Sequence, residues 1–347
     1  MKTLIFGKKS YLSNYLNKSI INSKVYSLSE KNLNLSEFQN SNIIINSFYS
    51  SLKLEKIDDY ELFIKKSIFE LSKLLNKIKK KKINIIIYTS SSSVYNSINE
   101  NIFKDERNRK VYAALKIAAE NLMKNFCYEN KIKLCITRIF NIFGENERFS
   151  IISKIVDCHK SRSNKLKLIN KGQSIRDFIY IEDVVKVYRK IIKTKSEGII
   201  DVGSGFGIEI YDIIKKLGIN NFKISNIKKN ETNFSIAQKI RFNLSTKNSL
   251  ENFLLENLNL KKKIEFKKIY STKKNILEDH VQGSIVYGAG KTGQQLQKMY
   301  KQTGTNLVSY FVDDDKKILR KKSINGVKIL SFHELISLSK QKTINNI

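Results

Sequence analysis

The first half of the chain alternates short apolar runs with longer amphipathic stretches, and this alternation restricts the fold more than any other feature. Runs with the length and composition of buried strands lie at residues 2–6, 24–28, 41–46, 83–88 and 133–138. Stretches with apolar residues at helical spacing lie at 11–17, 62–79 and 111–129. This order is typical of an α/β fold with a doubly wound parallel sheet. Because parallel strands end at one edge, we expect the ligand site there.

Two polar features belong to that edge. Tyr112 and Lys116 are four residues apart, so a helix over 111–129 places both side chains on one face. An ammonium beside a phenol favours the phenolate, which makes Tyr112 a candidate acid/base near neutral pH. The serine run 90–93 follows the apolar run 83–88, so its hydroxyls should emerge where that strand ends. Together these features predict an enzyme site.

Composition indicates a folded protein in a reducing compartment. The 347 residues are 41% hydrophobic, enough for one large domain or two modest ones. Cys127, Cys135 and Cys158 show no pairing or metal-binding pattern, so we interpret them as small buried hydrophobic residues and expect no metal site. No apolar run reaches the roughly 18 residues of a membrane span, and the amino terminus does not resemble a signal peptide. We expect a cytoplasmic protein.

The net charge of +32 raises the possibility of a nucleic-acid partner. However, lysines are spread over nearly every segment, asparagine and isoleucine are abundant, and proline and tryptophan are absent. An AT-rich coding sequence would produce this composition without selection for a ligand. We therefore predict no specific nucleic-acid partner, and a basic RNA-binding protein is a hypothesis that depends on charge alone.

The second half predicts a smaller lobe and then a separate unit. Helical patterns at 151–159, 184–194 and 208–217 indicate a substrate lobe over the sheet edge. We assign residues 1–262 to a nucleotide-binding and substrate domain, the lysine-rich residues 263–282 to a linker, and 283–347 to a partial second Rossmann-like unit.

That last unit contains a second nucleotide-type turn. Gly288, Gly290 and Gly293 form a G-x-G-x-x-G pattern after a strand that begins at Ser284. Asp313 follows the next predicted strand, in the position of an acid that holds ribose hydroxyls. Only about sixty residues are present, roughly half of a complete Rossmann domain. The alternative is therefore a nucleotide-type fold that binds nothing.

Four segments occur in an order that is specific for one family: residues 90–95, 112–120, 138–144 and 176–184. Through them, residues 1 to about 270 resemble the extended short-chain dehydrogenase/reductase family, in particular its nucleotide-sugar epimerases, dehydratases and reductases. The resemblance implies a Rossmann-like sheet, NAD or NADP as cofactor, a nucleotide-sugar substrate and a homodimer.

The resemblance also implies catalytic roles. It makes Tyr112 the acid/base and Lys116 both its activator and a hydrogen-bond donor to the nicotinamide ribose. Ser91 becomes the hydroxyl that polarises the substrate oxygen, with Ser90 or Ser92 as alternatives. Hydride transfer between a sugar carbon and the nicotinamide is then the implied reaction.

Two further residues are implied to bind substrate. Asn141 resembles the asparagine that meets the sugar nucleotide, and Arg176 resembles the arginine that grips its diphosphate, for which a guanidinium fork is well suited. The alternatives are that Asn141 caps a turn and that Arg176 pairs with Asp177 or Asp183.

Ser92 and Ser93 bear on the type of reaction. Relatives that eliminate water place acidic residues immediately after the catalytic hydroxyl, and here those positions are serines. The proton-abstracting carboxylate is therefore missing, which favours an epimerase or a ketosugar reductase over a dehydratase.

The first glycine turn departs from the family pattern. Gly7 is kept, but Ser10 and Ser13 replace the other two glycines, and their side chains should restrict the approach of a pyrophosphate. The second strand ends in 27–29 without a ribose-binding acid, and Lys31 could meet a 2′-phosphate, so NAD and NADP both remain open. The alternative function is a non-catalytic dinucleotide or nucleotide-sugar binding protein.

The tail from about residue 283 resembles a different group, the membrane-associated nucleotide-sugar dehydratases of polysaccharide synthesis. The glycine pattern at 288–293 and the segments 312–315 and 326–330 support this resemblance. It implies surface carbohydrate as the common theme of the chain. We expect the tail to be the product of a gene fusion, a frameshift or a truncated reading frame.

Overall fold

The structure is a computed structural model that describes residues 2–48, 59–98, 107–161, 166–168, 172–219, 223–224, 234–242 and 249–270. Nearer the carboxyl end it describes 284–287, 289, 294, 308–313, 315–321, 323–324, 327–331 and 333–334. Its contacts divide the chain into two units, Met1–Ser271 and Thr272–Ile347, here called unit 1 and unit 2.

The strands of unit 1 are β1 (Thr3–Phe6), β2 (Ser23–Tyr26), β3 (Ser41–Ile45), β4 (Ile83–Ser91), β5 (Leu134–Ile139), β6 (Asn141–Phe143), β7 (Lys167–Leu168), β8 (Ile175–Arg176), β9 (Phe178–Tyr180), β10 (Gly198–Val202), β11 (Phe206–Glu209), β12 (Lys223–Ile224), β13 (Phe234–Ser235) and β14 (Ile269–Tyr270). Its α-helices are α1 (Tyr11–Ser19), α2 (Tyr60–Ile64), α3 (Glu70–Ile78), α4 (Arg107–Glu129), α5 (Ile151–Ser161), α6 (Ile181–Thr194), α7 (Ile210–Lys216) and α8 (Leu250–Asn257). Short 3₁₀ segments cover Leu35–Phe38 and Ser92–Ile98.

A six-stranded parallel sheet forms the centre of unit 1, in the order β10-β5-β4-β3-β1-β2. The chain thus winds outward in two directions from its middle, which confirms the predicted doubly wound fold. Isoleucine-rich strands such as β3 suit this position, because β-branched side chains pack well on a sheet that is covered on both faces. The outermost strand β10 is a sixth member that the sequence patterns did not assign.

Helices cover both faces of this sheet. The leucines of α3 and the inward residues of α4 form one core with Leu4, Ile43 and Ile86. On the other face, α1 and α6 pack against Ile5 and Ile44. All five of these strand residues are fully buried. Burial of such side chains contributes about 1.5–3 kcal/mol each, so the two cores hold the strand ends in fixed register.

Two boundaries differ from the sequence prediction. The continuous helix expected over 62–79 is interrupted, because a π-helical turn at Lys65–Phe69 separates α2 from α3. Ser90 and Ser91 do not follow the strand but form its last two residues, paired with Arg138 and Ile139 of β5. Successive strand residues point to opposite faces, so these two serines face different surroundings.

The smaller lobe contains short strands and the helices α5, α7 and α8 around their own apolar core. The helix predicted over 208–217 begins at Ile210, because Phe206–Glu209 pair as a strand with β8 and β14. Residues 263–270, expected in the linker, pack on this lobe instead: Phe266 is buried, and Ile269–Tyr270 pair with β11. The remaining linker residues lie outside the described ranges.

Unit 2 contains the parallel strands β15 (Ser284–Tyr287) and β16 (Val308–Val312), the short helix α9 (Lys316–Leu319), and the antiparallel pair β17 (Ser323–Ile324) and β18 (Val327–Leu330). Gly288, Gly290 and Gly293 lie outside the described residues. Asp313 Oδ2 accepts a hydrogen bond from the Ala289 N–H at 2.9 Å, and its Oδ1 accepts one from the Asp315 N–H. The carboxylate predicted to hold ribose hydroxyls therefore binds backbone.

Candidate active site

A cleft of about 1270 Å³ lies along the carboxyl edge of the sheet in unit 1. Its walls come from the turn after β1, the ends of β3 and β4, the segment that joins β5 to β6, and one face of α4. The predicted residues Gly7, Ser10, Ser91, Tyr112, Lys116, Asn141 and Arg176 all line it. Ser13 is fully buried behind the wall.

Tyr112 contacts the serine that the resemblance selected. Its phenol lies near the Ser91 side chain, and its ring lies edge-on to Phe48 with centroids 5.3 Å apart. Burial raises the pKa of Tyr112 to about 12, and the interaction with Ser91 opposes this rise. Tyr112 is therefore a protonated phenol at neutral pH in the protein without ligand, contrary to the activation expected from the helical spacing.

Lys116 does not offset this rise in the pKa of Tyr112. Its ammonium donates to the Thr89 carbonyl at 2.8 Å and lies 4.0 Å from the centre of the Phe48 ring. The side chain is almost fully buried, and this desolvation lowers the pKa of Lys116 to about 7, against the attraction of Glu120. Because its ammonium is bonded to a backbone carbonyl and burial disfavours its charged form, Lys116 gives little support to a phenolate.

Ser90 and Ser91 both line the cleft, but their hydroxyls have different partners because successive residues of β4 point to opposite faces. Ser91 accepts hydrogen bonds from Ser93 and contacts Tyr112 in the cleft. The buried Ser90 hydroxyl instead donates to Glu120 Oε1 at 2.6 Å. This geometry favours Ser91, rather than Ser90, as the hydroxyl that could meet a substrate.

Glu120 anchors a buried polar chain that the sequence reasoning did not identify. Its carboxylate accepts two hydrogen bonds from Arg138, the shorter at 2.8 Å. The Arg138 guanidinium lies over the Tyr95 ring, and the Tyr95 hydroxyl donates to Asp201 Oδ1 at 2.6 Å. This series of polar contacts ties α4 to strands β4, β5 and β10. One signal was present in the sequence, since Glu120 lies four residues beyond Lys116 on the same helical face.

Asn141 and Arg176 lie on neighbouring segments of the substrate lobe. The Asn141 side chain donates to the Asp177 carbonyl at 2.9 Å, a bond between the segments of β6 and β9, and the residue lines the cleft. The Arg176 guanidinium donates to the Ile175 carbonyl at 3.1 Å. Asn141 therefore links two strand segments rather than capping a turn, and contact with the sugar nucleotide stays a prediction.

Asp177 has the surroundings of a structural carboxylate. It accepts hydrogen bonds from the Ser204 N–H and hydroxyl and from the Gly205 and Ala237 N–H groups. Burial nevertheless raises its pKa to about 6, against these hydrogen bonds. Asp177 thus ties the segment before β9 to the loops that begin at Gly203 and Ala237.

The first turn is built around one amide. Asn46, directly after β3, donates from Nδ2 to the Ser10 hydroxyl at 2.7 Å and to the Ser13 hydroxyl at 3.0 Å. Gly7 has φ of +139°, and a Cβ at this position would lie 2.4 Å from the Asn46 carbonyl oxygen. The two serines that break the glycine pattern are therefore accommodated by Asn46, and Gly7 is required by close approach of two backbones.

The part of the cleft near the end of β2 and the first turn is basic and rich in hydroxyl groups. Ser27 and Ser29 line it with their hydroxyls 2.9 Å apart, and the exposed Lys8 and Lys9 line it from the first turn. Lys31, the residue considered for a 2′-phosphate, is not among the described lining residues.

These residues fit a dinucleotide beside a second ligand. The glycine cradle at Gly7 and the amino end of α1 are suited to a diphosphate, and Lys116 lies in the same cleft. The volume exceeds the roughly 300–1,000 Å³ typical of a single small-molecule site, which leaves room for a cofactor and a substrate together. Among the described residues, no cluster of side chains could hold a metal ion.

The fold and the cleft define a Rossmann-like nucleotide-dependent enzyme class with a serine, tyrosine and lysine on one wall. The chain belongs to the NAD dependent epimerase/dehydratase family, whose model matches residues 17–203. The enzymes of this family depend on NAD, and the cleft has the volume and the lining residues to hold such a dinucleotide.

Curated relatives include members with different reactions. The chain is 27% identical over 249 residues to dTDP-D-glucose 4,6-dehydratase of Dictyostelium discoideum. The matched region covers 62% of this chain and 55% of the relative. The chain is also 27% identical over 195 residues to ADP-L-glycero-D-manno-heptose-6-epimerase of Brachyspira hyodysenteriae, covering 53% and 61%. The match thus spans less than two thirds of either relative.

A solved structure has the same fold. UDP-N-acetylglucosamine 4-epimerase from Methanobrevibacter ruminantium M1, in complex with UDP-N-acetylmuramic acid, superposes with a TM-score of 0.60 at 19% identity, over 74% of this chain and 97% of that one. No helix in the described part of this chain has the length and apolar character needed to span a membrane.

Proposed function

We propose that the protein is an NAD(P)-dependent nucleotide-sugar epimerase or ketosugar reductase that serves surface polysaccharide biosynthesis. The observation that carries this proposal is the placement of Tyr112, Ser91 and Lys116 in one cleft that also contains the Gly7 turn. The relatives act on dTDP-glucose and ADP-heptose according to their names. A nucleotide sugar is therefore the substrate class we assign.

Each side chain has a chemical role. Bound NAD or NADP would supply the hydride acceptor or donor at the sugar carbon. Tyr112 exchanges the proton of the sugar oxygen, and Ser91 donates a hydrogen bond to the same oxygen. Lys116 holds ribose hydroxyls once the dinucleotide occupies the cleft, and Arg176 binds the substrate diphosphate.

The distribution of carboxylates supports an epimerase or reductase rather than a dehydratase. Among the described lining residues, Glu70 is the one carboxylate. Phe63 packs against Tyr112. Glu70 lies seven residues after Phe63, so the two residues are roughly 10 Å apart along the helix axis. Elimination of water needs a base close to the sugar carbon beside the acid/base, and Ser92 and Ser93 supply none.

Of the two proposed reactions, ketosugar reduction and epimerisation, the protonated phenol of Tyr112 favours reduction. A ketosugar reductase needs Tyr112 to give a proton to the carbonyl oxygen, which a phenol with a pKa of about 12 can do at once. An epimerase needs Tyr112 first as a base, and Lys116 bonds to Thr89 instead of promoting that state.

The test is conversion of a panel of UDP-, GDP- and dTDP-sugars and their 4-keto derivatives with NAD, NADP and their reduced forms. Tyr112→Phe should lower kcat at least about 100-fold, because it removes the proton carrier while keeping the ring. Tyr128→Phe, the same substitution at an exposed position of α4 that does not line the cleft, is the matched control. Equal rates for wild type and Tyr112→Phe would disprove the role of Tyr112.

A second candidate is a non-catalytic dinucleotide or nucleotide-sugar binding protein. The serines at positions 10 and 13, where glycines would let a pyrophosphate approach closely, favour it. Binding of NAD or NADP without turnover of any member of the panel would support this candidate.

We also propose a homodimer in the cytoplasm. Ile64 and Phe69, on the outer side of the α2–α3 segment, are 47% and 48% exposed, and burial of such apolar side chains would stabilise a helical interface. Light scattering on the purified chain measures the mass, and a monomer at micromolar concentration would contradict the dimer.

A further inference from the structure

Asn46 occupies an unusual position between two serines of the first turn. An asparagine side chain has two N–H donors, and here the amide nitrogen reaches both the Ser10 and the Ser13 hydroxyl oxygens. The backbone of Asn46 is fixed too, because its N–H donates to the Phe6 carbonyl at 2.8 Å. The amide thus links the end of β3 to the start of α1.

Ser10 is the N-cap residue of α1, but its hydroxyl does not cap the helix. A serine at an N-cap usually accepts a hydrogen bond from an N–H of the first helical turn. Ser10 has the extended backbone of an N-cap, φ −82° and ψ 136°, and makes no such side-chain bond. Its oxygen accepts from Asn46 instead.

This arrangement changes what the first turn of α1 can offer to a ligand. The Ser10 O–H is available as a donor, as it would be in a capping serine. The first-turn N–H groups of α1 are also not consumed by a side-chain cap. Ser10 and Leu12 line the cleft beside the exposed Lys8 and Lys9, so donors and positive charge converge on one spot.

We propose that Asn46 is a positioning residue for the diphosphate of the dinucleotide, acting through Ser10. By engaging the Ser10 oxygen, Asn46 keeps this hydroxyl from capping the helix and leaves the N–H groups of the first turn of α1 open to an anion. The serines at the glycine positions are then compatible with cofactor binding. The inference rests on the proposed dinucleotide-dependent function and names the part of the ligand that Asn46 serves.

The test is a double-mutant cycle on the full-length chain, with affinities for NAD, NADP and ADP-ribose measured by calorimetry. Of NAD and NADP, we take the one that wild type binds more tightly, and Asn46→Ala should weaken its binding by about tenfold. Without the amide, Ser10 can cap α1, so the ligand loses both the first-turn N–H groups and the oriented hydroxyl. ADP-ribose, which has the diphosphate without the nicotinamide, should lose affinity by the same factor. Ser10→Gly should weaken binding about threefold.

The double variant gives the decisive comparison. In the Ser10→Gly background there is no hydroxyl to orient, so Asn46→Ala should have no further effect on affinity. Asn84→Ala, which removes an amide that donates to the Asn40 carbonyl at 2.7 Å and does not line the cleft, should bind like wild type. Thermal unfolding of each variant measures any loss of folded protein.

Three outcomes would overturn the inference. An unchanged affinity of Asn46→Ala, or an equal loss in both backgrounds, would show that Asn46 does not act through Ser10 while leaving the proposed function intact. Absence of NAD, NADP and ADP-ribose binding by wild type would overturn both. Cofactor binding that follows the predicted cycle without sugar turnover would contradict only the proposed catalysis.

Discussion

At the scale of single residues, the surroundings of Lys116 decide its charge. The sequence placed Lys116 beside Tyr112 through their spacing on α4, and the structure puts both on the cleft wall. The sequence could not show that Phe48 and Tyr88, from two other strand ends, exclude water from the ammonium. Desolvation is a property of the folded packing, and it reverses the expected direction of the Tyr112 pKa.

The lowered pKa of Lys116 predicts a pH dependence of stability. The folded value of about 7 lies below the ordinary value of 10.5, so between them the unfolded chain holds a proton that the folded chain lacks. Stability therefore rises with pH over this window, by up to about 1.4 kcal/mol per pH unit for one group. Urea unfolding of wild type and Lys116→Met from pH 7.5 to 9.5 measures it. The unfolding free energy of wild type minus that of Lys116→Met should rise with pH. A value that stays constant from pH 7.5 to 9.5 would contradict the assignment of the lowered pKa to Lys116.

Ser90 and Ser91 offer a matched pair of neighbouring serines. Ser91→Ala should lower kcat by at least about tenfold with little change in melting temperature, because Ser91 faces the cleft. Ser90→Ala should destabilise the fold by about 1–3 kcal/mol, since it removes a donor to the buried Glu120 carboxylate. Calorimetric melting and initial rates distinguish the two, and the reverse assignment of effects would show that the other serine serves the substrate.

At the scale of elements, periodicity identified most strands and helices of the sheet. It missed β10 because five residues are too few to show a clear period. This strand is defined by its parallel pairing with β5, which is distant in sequence. It also missed the π turn at Lys65–Phe69 and the strand Phe206–Glu209, since both depend on tertiary contacts. The edge position of the site needed no such contacts, because the βα order alone implies it.

Gly7 tests the contact between the first turn and β3. Gly7→Ala should destabilise the fold by more than about 2 kcal/mol and impair dinucleotide binding, because its Cβ would collide with the Asn46 carbonyl. Gly218 is the control: it also has positive φ, at +64°, but a Cβ there meets nothing within 4 Å, so Gly218→Ala should cost only about 1 kcal/mol. Equal effects in chemical unfolding would contradict the close approach at Gly7.

At the scale of the whole molecule, the described site residues all belong to unit 1, which has its own apolar cores. The sequence analysis assigned the first domain to residues 1–262, and unit 1 extends to Ser271. Phe266 shows why, because a single buried aromatic residue in a lysine-rich segment has no periodicity to reveal it. The net charge of +32 gave no information on the cleft.

Removal of residues 272–347 should therefore leave dinucleotide affinity within about twofold of the full chain, since each domain of this size can fold around its own core. Calorimetry with NAD and NADP on both forms measures this. A loss of tenfold or more in a shortened chain that remains folded by circular dichroism would show that unit 2 contributes to the site.

The central claim is redox chemistry at a sugar carbon without elimination. It is tested most directly by running the reaction in deuterium oxide and locating deuterium in the product by mass spectrometry and NMR. Hydride exchange with the nicotinamide leaves carbon-bound positions free of solvent deuterium, and the account predicts a product without deuterium on carbon and without loss of water. Deuterium on a ring carbon together with loss of one water would show proton abstraction and elimination, and would contradict the account.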